Sequence, residues 1–181
     1  MNTTALFVEL LVGGVQSLVW ICLISLFWFE PVRIVALLKQ ESIASSAILL
    51  MFAYALGVIF DRVWDVLLKP VDHHIRKTMI SDLDKLLRIR SRLFAQDSSH
   101  IMFVEYIRTR MRVSRATLCN SLLTALCALL LRVCYIEENW VEYIVFASSV
   151  IAIVSFHAFM DITVTYYRTL SLIEPYLEQK S

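Results

Sequence analysis

DRVWDVLLKPVDHHIRKTMISDLDKLLRIRSRLFAQDSSHIMFVEYIRTRMRVSR, residues 61–115, is the only long polar stretch in a chain that otherwise seeks hydrocarbon. It holds 12 of the 17 Lys and Arg residues against 7 acids, a net +5, while the rest of the chain carries net −4. Bases close to membrane segments are retained on the cytoplasmic side. The block is therefore expected inside, and the apolar runs on either side of it are expected to cross.

Outward from that block, residues 43–61 read as one crossing, beginning with the small residues Ala44, Ser45, Ser46 and Ala47, and residues 116–135 read as the next. Residues 5–29 supply about 25 residues of apolar chain, enough to span about 30 Å with some tilt. They close on Trp28, an interfacial anchor, followed by the helix stop Glu30-Pro31. Residues 141–167 form the fourth crossing, and residues 168–181 a short tail broken at Pro175. The turn between the last two crossings, Glu137-Glu138-Asn139-Trp140, is acidic and belongs outside, so both termini are expected in the cytoplasm.

Composition agrees: 59% hydrophobic residues, 18% charged, a mean hydropathy of +0.68, and only three Gly and three Pro to punctuate 181 residues. The fold class is an all-α polytopic membrane protein, a single membrane domain over 1–181. Its second and third of four transmembrane helices extend into a cytoplasmic helical hairpin over 62–115. No basic residue precedes the first apolar run, which is also too long for a signal-peptide core.

Inside the hairpin, Asp65/Lys69, Asp72/Arg76 and Asp84/Arg88 are opposite-sign pairs four residues apart with the acid leading, as suits an exposed helix, and Asp61/Asp65 is a like-sign pair at the same spacing. Ile80, Leu83, Leu87 and Phe94 recur at helical spacing, as do Phe103, Val104, Ile107 and Met111. Gln96-Asp97-Ser98-Ser99 breaks the two series, with Ser98 or Ser99 as an N-cap. The arms differ in length, and Pro70 is the expected place for a kink or a short stretch along the headgroups.

Three features could carry function. Glu9, Gly13 and Gln16 form a polar and small-residue stripe on the first helix, and Asn120 and Thr124 a second stripe on the third. Such stripes glue helices together or line a pore. Glu9, His157 and Asp161 fall at similar depth and are expected to gather as a proton-titratable cluster, with His157 and Asp161 four residues apart on one face. Arg88, Arg92, Arg108, Arg112 and Arg115 are candidates to contact a soluble partner or anionic lipid; Arg108, Arg112 and Arg115 share a helix face from which Arg110 points away.

Catalysis has no motif to rest on: there is no nucleophile elbow, zinc-protease helix, phosphate loop or dinucleotide fingerprint. His73-His74 beside Asp72 lacks diagnostic metal spacing, Arg92 and His100 are too widely spaced for the pairing used by small helical RNases, and all four Cys lie in apolar runs. No enzyme activity, cofactor or metal is expected. No nucleic-acid-binding module is recognisable, so direct nucleic-acid binding is not expected either.

These residues describe a small homo-oligomeric channel or pore of a bacterial inner membrane whose basic hairpin senses or docks a soluble cytoplasmic partner or anionic ligand. The alternative is a non-conducting anchor or scaffold that recruits a soluble partner. At the level of class, the architecture resembles the four-pass subunits and pore effectors of bacterial anti-phage defence systems, the Kiwa membrane subunit among them. That resemblance implies a role in antiviral defence.

Overall fold

A computed structural model describes residues 3–28, 43–80, 84, 86–89, 91, 98–134 and 139–178. Four long helices account for nearly all of them: α1 (Thr3–Ser25), α2 (Ile43–Met79), α3 (Ser98–Cys134) and α4 (Asn139–Glu178). No strand occurs among the described residues. All four helices are long and apolar enough to cross a membrane, which makes this a multi-pass membrane protein.

Length shows where the helices leave the bilayer. At about 1.5 Å per residue the 37 residues of α2 and of α3 and the 40 of α4 exceed the roughly 30 Å hydrocarbon core by 25 Å or more. The excess collects at one end. There Ile75 and Ile80 at the end of α2, Leu86 and Ile89 of the helical stretch after it, Val104 and Ile107 of α3, and Tyr166, Tyr167 and Leu170 of α4 form one buried apolar cluster.

The sequence boundaries shift in three places. α4 continues past residue 167 and through Pro175 to Glu178, and Leu170, read as part of a tail, joins Tyr166 and Tyr167 as a wall of this cluster. With three walls the buried face turns in part: Ile80, Val104 and Ile107 of the two spaced series are buried, Leu87 and Phe103 of the same series are exposed, and Leu86 and Ile89 are buried in addition. α2 stays one helix through Pro70, which lies on its exposed side. Leu83 and Phe94, the Gln96-Asp97 break, the connector over 30–42 and the acidic Glu137-Glu138 pair lie outside the described residues.

α1 ends at Ser25, earlier than the apolar run does. The Ser25 hydroxyl donates to the Cys22 carbonyl at 2.7 Å, and the amides of Leu26, Phe27 and Trp28 each reach a carbonyl three residues back, the tighter winding with which helices close.

α1 is the keystone of the bilayer section. It meets α2 at a single crossing made by small residues: a Cβ placed on Gly14 would lie 1.6 Å from the Ala53 carbonyl oxygen, and one on Gly57 1.8 Å from the Leu10 oxygen. Backbones this close permit the dispersion contacts on which helix association in lipid depends. Phe60 flanks the crossing, edge-on to Trp20 at 5.2 Å and stacked on Trp64 at 5.4 Å. At the far end Leu23, Cys127, Ala128, Leu131 and Val141 close a second apolar cluster.

Candidate functional site

The two polar stripes meet inside the chain. Asn120 is 2% exposed and lies between α3 and α1. Its Oδ1 accepts from the Trp20 indole N–H at 3.1 Å and from the Ser17 hydroxyl at 3.0 Å, and its Nδ2 donates to the Gly13 carbonyl at 3.2 Å. The amide orientation is forced, because the indole can only donate and the carbonyl can only accept. Gln16 Nε2 donates to Thr117 Oγ1 at 3.1 Å, and the Thr124 hydroxyl turns back to the Asn120 carbonyl at 2.8 Å. Gly13, Gln16, Ser17 and Trp20 of α1 are therefore hydrogen-bonded along a seam to Thr117 and Asn120 of the parallel α3, while Thr124 bonds within α3 and the Gln16 Oε1 is buried without a partner among the described residues. The pairing also removes the reason for expecting self-association from two spare polar faces.

The expected acid and histidine cluster does not assemble. Glu9 turns toward α3, 4.0 Å from Arg112, and lines a pocket of about 20 Å³, the size of one water molecule, together with Trp64 and Asp61. His157 and Asp161 are exposed on α4 and share no cavity with Glu9. The sequence placed all three at similar depth, but depth along a helix does not determine which face a neighbour covers.

Where the apolar runs of all four helices give way to the charged extension, a cleft of about 570 Å³ opens between α2, α3 and α4. α2 lines it with Asp61, Arg62, Asp65, Lys69 and Asp72, α3 with Arg108, Arg112 and Arg115, and α4 with Tyr166 and Tyr167. The shared face of the three α3 arginines follows from their spacing. Arg110 lies on another face, its guanidinium 5.5 Å from the Tyr106 ring centroid and donating to the Tyr106 hydroxyl at 3.2 Å.

The acids of the cleft are already engaged. Arg115, its side chain 12% exposed, donates to Asp65 at 2.6 Å and to Asp61 at 3.4 Å, tying α3 to α2. The Tyr167 hydroxyl sits 3.0 Å from both oxygens of Asp72. None of these acids uses the partner four residues along its own helix that the sequence offered. Arg62, Lys69 and Arg108 have no ion pair or hydrogen bond among the described residues. The lining is thus a positively charged wall whose negative groups are held by Arg115 and Tyr167. Sequence reasoning passed over Arg62, Lys69 and Asp72, although their spacing along one face of α2 was available as a signal.

A second surface lies farther out. Residues 102–110 of α3 stand about 8–20 Å beyond Arg115 along the helix. There Met102 (65% exposed), Phe103 and Tyr106 (56% exposed) share one outward face with Arg110. Arg88 is exposed on the helical stretch after α2, and Arg92 lies outside the described residues. No group of His, Cys, Asp or Glu able to hold a metal occurs among the described residues.

The chain matches no family model, no curated protein and no solved structure.

Proposed function

We propose that this protein is a membrane anchor that holds a soluble partner at the bilayer through its basic extension, the non-conducting alternative of the two sequence readings. The carrying observation is the outward face of Met102, Phe103, Tyr106 and Arg110. Exposed apolar side chains within the bilayer section face lipid and need no partner, but these stand in water, where a mixed aromatic and arginine surface suits an acidic, partly apolar protein face. The seam supports the same reading, since Asn120, the most buried of the polar groups that would have lined a passage, spends its side chain on Ser17, Trp20 and Gly13 of the same chain. A pore would have to be built by oligomerisation from the outward, mostly apolar faces.

Replacing Phe103 by Asp together with Arg110 by Glu tests docking. Proteins that co-purify with the wild-type chain are expected to fall at least tenfold with the double variant while membrane level is unchanged, since an aromatic and an arginine anchor are each worth 2 kcal/mol or more at an interface. Unchanged co-purification would remove the docking reading, and a loss of self-association instead would reassign the face to a second copy of this chain.

The basic end is cytoplasmic in this account, by the positive-inside rule, with both termini inside and the inner membrane as host. Cys134, exposed at the opposite end of α3, reports on this directly. A membrane-impermeant maleimide added to intact spheroplasts is expected to label Cys134, with the signal lost in Cys134→Ser; labelling only after permeabilisation would invert the topology.

A further inference from the structure

We propose that the cleft between α2, α3 and α4 seats the phosphate headgroup of an anionic phospholipid. Arg62, Lys69 and Arg108 take the charge, and the wall formed by Leu6, Leu10, Val58 and Phe159 receives the first carbons of its chains. Four observations converge on this. The cleft is concave and, at about 570 Å³, of ligand size. It sits at the level where hydrocarbon gives way to charge, which is the depth of a phosphate. Its lining carries Arg62, Lys69, Arg108, Arg112 and Arg115 against Asp61, Asp65 and Asp72, so bases outnumber acids and the field that an incoming anion meets is positive. Arg62, Lys69 and Arg108 are all exposed, so their charged ends are open to an incoming ligand.

The apolar part of the lining separates a lipid from a free anion. Inorganic phosphate would gain nothing from Leu6, Leu10, Val58 or Phe159, whereas the glycerol and upper acyl carbons of a phospholipid would cover them. The site shares no residue with the docking face of Met102, Phe103, Tyr106 and Arg110, from which Arg108 points away.

The test titrates the full-length protein, in detergent, with phosphatidylglycerol or phosphatidylcholine and counts retained lipids by native mass spectrometry. Taking each base near the surface as worth about fivefold, the wild type is expected to prefer phosphatidylglycerol by roughly tenfold or more. The combined Arg62→Gln, Lys69→Gln and Arg108→Gln changes are expected to abolish the preference, and Lys77→Gln, an exposed base outside the cleft, to leave it intact. Helicity of the triple variant is checked alongside, and a variant carrying Arg62→Lys and Arg108→Lys is expected to keep the preference because it keeps the charge. Equal retention of the two lipids by the wild type, or an equal loss with Lys77→Gln, would overturn the site. Displacement of the lipid by inorganic phosphate at matched concentration would overturn the lipid as its source.

Discussion

Gly14→Ala is expected to part α1 from α2, whereas Gly13→Ala, one residue away, is expected to be silent or mildly stabilising. At Gly14 the new methyl would sit 1.6 Å from the Ala53 carbonyl oxygen and 2.4 Å from its carbon. Those atoms are backbone in the middle of a helix and have no rotamer to change, so the helices must separate. At Gly13 the nearest atom to a new Cβ is that of Ala116 at 3.7 Å, an ordinary contact. Overpacking against an unyielding neighbour costs about 3 kcal/mol, while alanine is better than glycine inside a helix by up to about 1 kcal/mol. Thermal unfolding in detergent, followed by circular dichroism, should therefore move in opposite directions or by very different amounts for these neighbours. Equal effects would mean that α1 and α2 do not cross at Gly14.

Asn120→Leu is expected to be the most damaging single change in the α1–α3 seam. Leucine keeps the branching at Cγ and the number of heavy atoms but removes the acceptor of the Trp20 and Ser17 donors and the donor to the Gly13 carbonyl. Interhelical hydrogen bonds in membranes average about 0.6 kcal/mol and reach about 1.7, so losing this set should cost about 1–3 kcal/mol. Ser17 has the Gly13 carbonyl as a second acceptor at 2.9 Å, which limits the loss on that side. The Trp20 indole is the group left unpaired. Unfolding of Asn120→Leu beside Asn120→Gln measures this, and a wild-type midpoint for the leucine variant would contradict the seam.

Much of the architecture was readable because it depends on properties that add along the chain. The length of an apolar run and the sign of a charge need no knowledge of neighbours, and they identified four spanning helices. Helical spacing likewise put Arg108, Arg112 and Arg115 on one face and Arg110 on another, as the cleft shows. What depended on the choice of neighbour was not readable. Asn120 and Gln16 were visible as polar stripes, but only the packing reveals that each stripe is the other's partner. Glu9, His157 and Asp161 were drawn together by depth alone, yet Arg112 holds the first and the other two face outward.

Two misses have specific causes. Tyr166 and Tyr167 looked like the end of a crossing and Leu170 like the start of a tail broken at Pro175, yet all three are the wall that covers the extension's core. The crossing of α1 and α2 was announced by Ala53 and Gly57, small residues four apart, beside Gly14. That spacing is the usual sign of close helix approach in lipid. It was overlooked because neither residue is polar.

With Asn120 bonded to Ser17, Trp20 and Gly13 across the α1–α3 seam, the proposed anchor acts at its basic end and does not conduct. Ion flux through liposomes reconstituted with the purified chain, wild type beside Gln16→Ala and Asn120→Leu, tests it most directly. Flux no greater than in protein-free liposomes is expected for all three. Flux from the wild type that changes when Gln16 or Asn120 is replaced would show that the seam lines a passage and would contradict it.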